Sequence, residues 1–373
     1  MYLSDLQIRH FRNLAEQELS LPTQGVAIVG ENAQGKTNLL EAIYYLETFR
    51  SFRGSRDHNL VAFHEDFFRI RGRLAGAGPG GGVEVAAAFQ LRGRRKKVTV
   101  DGREPERLGD ALGRLAAVVF SPADVSLVSD GPAARRRFLD IVLSLNVPGY
   151  LKNLQQFRQI LTQRNAALKN GRRSDGIDAW NEGLVGQGTR VMVERARWLE
   201  EWSESFSSYF RRISGTEEGR MGYSPGLRLD GARSPEEMAS AYRQALKEAR
   251  ERELRLGSTM VGPQRDDVTL TVEEEGEERD LRRFGSGGQR RTGALALRLV
   301  EAATIRAARG QEPIVLMDDV FAELDPGRSE RVLALMEEEE TGQVLITVPK
   351  EGDIRLRRDS IPRWRIRGGV VER

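Results

Sequence analysis

The sequence predicts an α/β nucleotide-binding fold whose two halves are separated by a helical insertion. Two segments carry this prediction: a glycine-rich G-x-x-x-x-G-K-T stretch at 30–37, and an apolar stretch at 313–319 that ends in two aspartates. Between them the apolar residues change to the spacing of α-helices. Because both segments serve one nucleotide site, the helices between them are expected to form an insertion.

The first segment matches the phosphate-binding loop of nucleotide hydrolases. The apolar run at 26–29 reads as a buried strand before the loop, and residues 38–46 read as a helix after it. Glycines let backbone N–H groups surround phosphates, and the helix N-terminus adds partial positive charge. Lys36 is expected to contact the β- and γ-phosphates of ATP, and the Thr37 hydroxyl to bind Mg²⁺. The expected ATP-binding residues here are Gly30, Glu31, Asn32, Ala33, Gln34, Gly35, Lys36, Thr37 and Asn38.

The second segment, Pro313–Asp319, is predicted to be a buried strand that delivers two carboxylates to its C-terminal edge. A Mg²⁺ site beside a phosphate loop needs such an acid. We expect Asp318 to bind the metal, and Asp319 to orient or deprotonate the attacking water, because phosphoryl transfer depends on a positioned nucleophile. Asp318, Asp319 and Lys36 are therefore the predicted catalytic residues.

A third segment, Ser286-Gly287-Gly288-Gln289, precedes an Ala/Leu-rich helix and resembles the signature motif of ABC-type ATPases. A helix N-terminus with small residues and a hydroxyl can receive a γ-phosphate. The segment lies about 30 residues before the strand that carries Asp318, as in that superfamily. The fold class is accordingly an α/β ABC-type P-loop ATPase head, with a mixed β lobe and a compact inserted helical lobe.

Further motifs resemble those of the RecF family of recombination mediators, nearly end to end. They are His10–Asn13, Gly35–Ile43, Ser51–Arg53, Phe120–Asp124, Arg135–Asp140 and Gly262–Asp267. Two positions depart from the family pattern: Gln264 stands where histidine is usual, and Gly287 where glutamine is common. The resemblance implies a DNA-binding ATPase switch in recombinational repair and replication-fork maintenance, with weak, DNA-stimulated hydrolysis.

The resemblance also implies an ATP-dependent homodimer, in which the signature segment of one subunit completes the ATP site of the other. It adds three residues to the expected nucleotide site: Arg12 on the opening segment, Asp325 after the second acidic segment, and Thr347, which follows a predicted strand. For Arg12 a surface ion pair is the competing interpretation. Implied partners are double-stranded and gapped DNA with single-stranded segments, and the other recombination mediators RecR and RecO.

The predicted domain boundaries divide the chain into residues 1–123, 124–256 and 257–373. The first and third parts form the ATPase lobes. Helices predicted at 132–145, 150–169, 177–213 and 235–255 form the middle part. At 1.5 Å per residue these helices reach about 30–50 Å, which excludes a long coiled coil.

The amino-acid composition agrees with an ABC-type ATPase head. The 373 residues carry a net charge of +3 and no cysteine, which excludes disulfides, thiol catalysis and zinc–cysteine sites. No apolar run approaches the roughly 20 residues of a membrane helix, so we expect a cytoplasmic protein without a membrane partner. The three histidines, His10, His58 and His64, show no ligand spacing.

Two basic segments are candidates for contact with DNA phosphates. Arg94, Arg95, Lys96 and Lys97 are adjacent on a predicted hairpin, where charges also serve to prevent edge-to-edge aggregation. Arg164, Lys169, Arg172 and Arg173 end a predicted helix, where the helix dipole also favours cations. Both interpretations stay open for both segments.

Two other functional classes share the ATPase motifs. An ABC-type ATPase of a defence system normally adds a nuclease domain, for which this chain leaves no room. The nucleotide-binding subunit of a membrane transporter is disfavoured by the opening Phe11-Arg12-Asn13 segment and by Asp318-Asp319 in place of Asp-Glu. Retention of DNA that depends on ATP separates the repair ATPase from both.

Overall fold

The computed structural model describes residues 1–76, 82–170, 174–339, 342–350, 352 and 361–373. The glycine-rich segment 77–81 lies outside these residues, as do Arg172 and Arg173 of the second basic segment. The chain divides into two compact units. Unit 1 contains residues 1–124 and 297–373, and unit 2 contains residues 125–296.

The described residues form fourteen strands and eight α-helices. The strands are β1 (Tyr2–Arg9), β2 (Gln17–Ser20), β3 (Gly25–Val29), β4 (Phe67–Ala75), β5 (Val83–Gln90), β6 (Arg95–Val100), β7 (Ala117–Phe120), β8 (Gly219–Ser224), β9 (Asp267–Glu274), β10 (Glu277–Asp280), β11 (Ile314–Asp318), β12 (Val344–Val348), β13 (Arg363–Arg367) and β14 (Val370–Glu372). The helices are α1 (Lys36–Thr48), α2 (Ser126–Ser129), α3 (Pro132–Asn146), α4 (Tyr150–Lys169), α5 (Ser174–Ser214), α6 (Pro235–Leu256), α7 (Gly287–Arg309) and α8 (Pro326–Glu338).

The core of unit 1 is a six-stranded sheet in the order β14-β13-β3-β12-β11-β7. Its five strands from β13 to β7 are parallel, and β14 is antiparallel. Every residue of β3, β11 and β12 is buried, which explains why apolar residues predominate in these strands. Because parallel strands end at the same edge, the segments that follow β3, β11 and β12 lie side by side.

A second sheet of unit 1 has the antiparallel order β2-β1-β4-β5-β6. Buried and exposed residues alternate along β4, so one face of this sheet packs on the core and the other faces solvent. Leu3, Leu6 and Ile8 of β1 belong to the same hydrophobic core as Leu39 and Ile43 of α1. The antiparallel sheet therefore packs against the helix that follows the phosphate loop.

Unit 2 contains the predicted helices together with the three-stranded antiparallel sheet β10-β9-β8. Helix α5 is continuous through Gly183 and Gly188. A side chain at Gly183 would press on Ile160 of α4, and one at Gly188 would press on Tyr242 of α6. The glycines therefore permit close helix packing. With 41 residues, α5 is about 60 Å long and exceeds the expected 30–50 Å.

A buried ionic network holds unit 2 together. Arg195 of α5, only 3% exposed, donates to Asp140 of α3 and to Asp266, each at 2.7 Å. Tyr150 of α4 donates to the same Asp140 at 2.7 Å. Burial raises the pKa of Asp266, and Arg195 opposes that shift. The Arg135–Asp140 and Gly262–Asp267 motifs thus have a structural role, since Arg135 also binds Asp267.

Replacing Arg195 by methionine is expected to destabilise the protein by about 3–5 kcal/mol, because Asp266 would stay buried without its cation and Asp140 would keep only the exposed Arg158. Urea unfolding followed by circular dichroism measures the change. Arg197→Met is the matched control, since Arg197 lies two residues along α5, is 73% exposed and pairs with Glu194 only at 3.8 Å. Equal unfolding midpoints for the two variants would contradict this role.

The division of the chain differs from the predicted boundaries in one place. The first boundary, between Asp124 and Val125, lies one residue from the predicted one, but the second falls after Ala296 rather than after 256. Strand β9 pairs with β8 of unit 2, and Gln289 binds Glu217 and Glu274 of the same unit. These long-range contacts place residues 257–296 with the helices. Within the described residues, no helix is long and apolar enough to cross a membrane.

Candidate functional site

The phosphate loop connects β3 to α1, as the sequence predicts. Gly35 precedes α1 with φ 110°, a left-handed conformation that favours glycine. A side chain at Gly30 would collide with Ile366 of β13, at 2.7 Å from its carbonyl oxygen. Glu31, Asn32 and Ala33 form the exposed crest of the loop, whereas Gly35 and Lys36 are buried.

The Lys36 ammonium is directed into the loop. Its side chain is 4% exposed, and Nζ donates to the carbonyl oxygens of Gly30 at 2.8 Å and Glu31 at 3.2 Å. The Asp319 carboxylate lies 3.7 Å from the same nitrogen. A cation surrounded by exchangeable oxygen partners is suited to bind phosphate oxygens in their place.

Thr37 and Asp318 meet at the edge of the parallel sheet. The Thr37 hydroxyl donates to Asp318 Oδ1 at 2.8 Å, although 281 residues separate them in sequence. Burial raises the pKa of Asp318, while the Thr37 hydrogen bond opposes the shift. A hydroxyl and a carboxylate are hard oxygen ligands, so Thr37 and Asp318 are the residues that would hold Mg²⁺. Among the described residues no cluster of three or more acidic or histidine side chains offers another metal site.

Asp319 follows β11 with φ 47°, an unusual conformation for a residue other than glycine. Thr347, at the end of β12 and fully buried, accepts a hydrogen bond from the Asp319 N–H at 3.1 Å. Its hydroxyl also lies 3.1 Å from Asp318 Oδ1. Thr347 thus positions both acids in this structure, and its predicted contact with the nucleotide stays a prediction.

Two contacts that the sequence did not predict support the loop. Asn13 donates to the carbonyl of Ala33 at 3.1 Å and accepts from Asn38 at 2.7 Å. The turn between β13 and β14 also approaches the loop, where Gly369 N–H donates to the Gln34 carbonyl at 3.0 Å. Both contacts join segments far apart in sequence. The Phe11-Arg12-Asn13 motif is the one signal that could have drawn attention to Asn13.

Arg12 is held by protein groups in this structure. Its guanidinium binds Glu41, which is completely buried on α1, at 3.0 and 3.1 Å, and Ser55 at 2.8 Å. Glu41 also accepts a hydrogen bond from Ser51. Arg12 therefore forms an ion pair in this structure, and its contact with ATP stays a prediction.

The signature segment lies in unit 2 at the N-terminus of α7. The Ser286 hydroxyl accepts from Gln289 N–H at 3.1 Å, while Gln289 Oε1 accepts from Ser286 N–H at 2.7 Å. This reciprocal pair satisfies the first amides of the helix. Gln289 is buried and also binds Glu217 and Glu274. Ser286 and Gly287 are exposed, Gly288 is half-buried, and nothing lies within 4 Å of a side chain placed at Gly287.

Asp325 caps the N-terminus of α8, where its carboxylate accepts from Arg328 N–H at 2.9 Å. This hydrogen bond lowers the pKa of Asp325. The side chain is exposed and belongs to unit 1. Its predicted contact with nucleotide stays a prediction.

The four adjacent cations at 94–97 do not form one patch. Lys96 donates to the Phe49 carbonyl at 2.7 Å, pairs with Asp57 at 2.8 Å and lies over the Tyr45 ring. Alternation along β6 places it on the opposite face from Arg95 and Lys97. The Lys96 ammonium therefore stabilises the fold, whereas Arg94, Arg95 and Lys97 are exposed. The DNA contacts of these four residues stay predictions.

Arg164, which begins the second basic segment, is also occupied by contacts within the protein. Arg164 is 2% exposed and forms a buried ion pair with Glu253 at 2.7 Å. It also donates to Thr259 and Asn181. Arg164 therefore has a structural role in this conformation, and a contact between it and DNA stays a prediction.

Comparison with known proteins gives a direct family assignment. Residues 2–361 match the family described as RecF/RecN/SMC N terminal domain. The DNA replication and repair protein RecF of Synechococcus sp. (strain JA-2-3B'a(2-13)) is 40% identical over 360 residues, covering 94% of this chain and 92% of that protein. The chain belongs to the RecF family. Another member, from Bacillus cytotoxicus (strain DSM 22905 / CIP 110041 / 391-98 / NVH 391-98), is 35% identical over 337 residues, covering 89% and 88%.

Solved structures agree with the RecF assignment. The recombination mediator protein RecF-ATP in the RecFOR pathway has a TM-score of 0.89 and 31% identity to this chain, covering 100% of it and 97% of that chain. An Smc head bound to the C-winged helix domain of ScpA has a TM-score of 0.58 at 17% identity, covering 100% and 96%, which shows the fold alone. The predicted ABC-type ATPase head of the RecF family is thereby confirmed.

Proposed function

We propose that this RecF-family protein is an ATP-dependent DNA-binding switch in recombinational repair and replication-fork maintenance. The observation that carries the proposal is the convergence of Lys36, Thr37, Asp318 and Asp319 at one edge of the parallel sheet. Loop residues 30–38 bind the phosphates of ATP, and Thr37 and Asp318 bind Mg²⁺. When bound, the metal neutralises charge on the phosphate oxygens.

The protein's own groups then position the reaction. Lys36 binds the β- and γ-phosphates in place of the carbonyls of Gly30 and Glu31. Asp319 moves from Lys36 to orient the attacking water, and Thr347 holds the Asp319 backbone during that change. A threonine hydroxyl senses a phosphate by hydrogen bonding but supplies no positive charge. Slow hydrolysis, stimulated by DNA, fits a timing switch better than a motor.

The ATP site is completed by the signature segment of a second copy of the chain. Support comes from the exposed N-terminus of α7, where Ser286 and Gly287 leave room for a phosphate. A helix of 23 residues directs its N-terminal partial positive charge to that point. Two such contacts related by a two-fold axis make ATP part of the dimer interface, so that hydrolysis opens it.

Replacing Ser286 by arginine is expected to leave ATP binding by the monomer intact while it blocks dimerisation and hydrolysis. The reason is steric, since the long side chain occupies the space that a partner's γ-phosphate requires. Equilibrium nucleotide binding and phosphate release measure the two effects. Ser286→Ala separates bulk from the loss of the hydroxyl, because it removes the hydroxyl with its capping bond, which costs about 1 kcal/mol, and adds no volume. Normal turnover by Ser286→Arg would exclude the signature role.

The proposed ligand of the dimer is duplex DNA, including duplex that adjoins a single-stranded gap. At such gaps the protein would assist loading of the recombinase, and the proposed location is the cytoplasm. Its proposed protein partners are the other mediators RecO and RecR, since a solved RecF relative belongs to the RecFOR pathway. Two observations support the proposed role in DNA repair: membership of the RecF family, and the exposed cations Arg94, Arg95 and Lys97, which could bind DNA phosphates.

Duplex binding is expected to require ATP and to weaken steeply with salt. Each neutralised phosphate releases counterions, so the logarithm of the binding constant falls against the logarithm of salt with a slope of about −0.9 per contact. Retention of a labelled duplex on immobilised protein, with ATP or ADP and at several salt concentrations, tests both points. Duplex retention that is indifferent to nucleotide, or absent at low salt, would count against the repair switch.

A further inference from the structure

The side chain of Gln289, the last residue of the signature segment, is held at three points within unit 2. Its Oε1 accepts a hydrogen bond from the Ser286 N–H at 2.7 Å. Its Nε2 donates to Glu217 Oε1 at 2.8 Å and to Glu274 Oε1 at 2.9 Å. Because a side-chain amide nitrogen carries two protons, the two carboxylates occupy both of them. Gln289 is buried, so these bonds are shielded from water.

Glu217 and Glu274, here called the acid pair, decide which way the Gln289 amide points. Ionised carboxylates accept hydrogen bonds and donate none. In a reversed amide, the oxygen would face both carboxylates and the nitrogen would face the Ser286 N–H, so all three contacts would be repulsive. The acid pair therefore keeps the Gln289 oxygen on the Ser286 N–H.

The acid pair is itself anchored to two segments outside the signature. Glu217 lies in the turn between α5 and β8, where its N–H donates to the Ser214 hydroxyl at 3.1 Å. Glu274 ends β9, and its Oε2 accepts from Arg279 of β10 at 3.0 Å. Both acids are half-buried. The orientation of Gln289 thus depends on residues that the signature motif does not include, one of them 72 positions away in sequence.

This arrangement leaves hydrogen-bond donors available at the exposed end of α7. The Ser286 oxygen accepts from the Gln289 N–H at 3.1 Å, so the hydroxyl proton remains for donation to a phosphate. The N–H groups of Gly287 and Gly288 follow in the first turn, where a helix supplies no acceptor of its own. Rotation of the Gln289 amide would break the bond to the Ser286 N–H and disturb the placement of these donors.

We propose that Glu217 and Glu274 are positioning residues, which fix the Gln289 amide and so hold the signature segment in the form that meets the γ-phosphate bound by a second copy of the chain. The inference rests on the proposed function for the ATP-dependent dimer. Neither carboxylate touches the nucleotide, and each acts through Gln289. Loss of the acid pair should therefore weaken dimerisation and leave ATP binding by the Lys36 loop, in unit 1, unchanged.

The test compares two double variants that remove the same charge. Glu217→Met with Glu274→Met, the Met variant, removes both acceptors. Glu217→Gln with Glu274→Gln, the Gln variant, keeps an amide oxygen at each position that can accept from Gln289. Sedimentation velocity with Mg²⁺ and an ATP analogue that resists hydrolysis gives the dimerisation constant. The Met variant should dimerise about 25-fold more weakly, since one lost cap costs about fivefold at each of two interfaces. The Gln variant should stay close to the parent.

The matched control is Glu218→Met with Glu273→Met. These acids are the sequence neighbours of the acid pair, but they bind Arg211 and Arg220 instead of Gln289. This control variant should dimerise as the parent does. Hydrogen exchange of the Ser286 amide in the nucleotide-free monomer reports the capping bond directly, and it should be faster in the Met variant only. Calorimetry gives the ATP affinity of each monomer.

Circular dichroism shows whether the Met variant folds. If it does not, Glu274→Met alone is compared with Glu273→Met. Glu274→Met should still dimerise more weakly, although the loss is smaller because Glu217 retains one amide proton of Gln289.

Equal dimerisation by the Met variant and the control variant would overturn the inference, as would an equal loss in the Met and Gln variants. Equal dimerisation by the two single variants has the same meaning. Faster exchange at Ser286 without weaker dimerisation would also overturn it, because the dimer would then not need the capped form. Dimerisation that survives Ser286→Arg would overturn the proposed function itself. Dimerisation that Ser286→Arg abolishes and the Met variant retains would overturn this inference alone.

Discussion

Replacing Lys36 by alanine is expected to abolish measurable ATP binding and, with it, hydrolysis. Lys36 is the cation enclosed by the loop, with Nζ 2.8 Å from the Gly30 carbonyl oxygen, and its removal leaves the β- and γ-phosphates without their nearest positive charge. Charge-assisted bonds to phosphate are about twice as strong as neutral ones, so the remaining amides do not compensate. Isothermal calorimetry with ATP and Mg²⁺ gives the affinity directly.

Lys152→Ala is the matched control for this experiment, because Lys152 is an exposed lysine on α4. It should bind ATP as the parent protein does. Calorimetry that finds parental affinity in Lys36→Ala would remove the loop from the nucleotide site, whatever happens to hydrolysis.

Replacing Asp319 by asparagine is expected to retain ATP binding and to lower turnover by about two to four orders of magnitude, the usual contribution of a positioned proton acceptor. Asp318 and Thr37 are unchanged, so the metal ligands remain. Asparagine tolerates the left-handed conformation that Asp319 adopts, so the backbone after β11 should be preserved. Single-turnover phosphate release separates this loss from any change in affinity.

Glu330→Gln is the corresponding control, an exposed carboxylate on α8 near the same site in sequence. Its turnover should equal that of the parent. If Asp319→Asn releases phosphate at the parental rate, then another group orients the water and the role given to Asp319 is incorrect.

The parts of the site that the sequence predicted are those encoded in short segments. The strand at 25–29, the glycine turn and the helix from Lys36 follow one another, and their order alone defines the loop. The strand ending at Asp318 has a fully apolar run, typical of a strand buried in a parallel sheet. The meeting of Thr37 and Asp318 follows because parallel strands end at one edge.

Contacts between distant segments were not predictable in the same way. The β13–β14 turn reaches the phosphate loop at Gln34, and no local pattern in either segment indicates this. The charges at 94–97 are contiguous in sequence, yet β6 directs Lys96 to one face and its neighbours to the other.

The unit boundary after Ala296 also depends on contacts between segments that are distant in sequence. A change from helical to strand patterning near 256 suggests a new domain, but β9 pairs with β8, which precedes that point. The unit that a strand joins depends on its pairing partners, and the apolar pattern of one strand does not identify those partners. The signature segment therefore lies in the unit that contains the helices.

Sedimentation velocity of Asp319→Asn with ATP and Mg²⁺ tests the central claim most directly, that ATP joins two copies through Ser286. Because this variant is expected to bind ATP without hydrolysing it, the account predicts a stable dimer with ATP and a monomer with ADP. The same protein carrying Ser286→Arg as well should bind ATP and remain a monomer. A monomer of Asp319→Asn at saturating ATP, or a dimer that forms equally well with Ser286→Arg, would contradict the account.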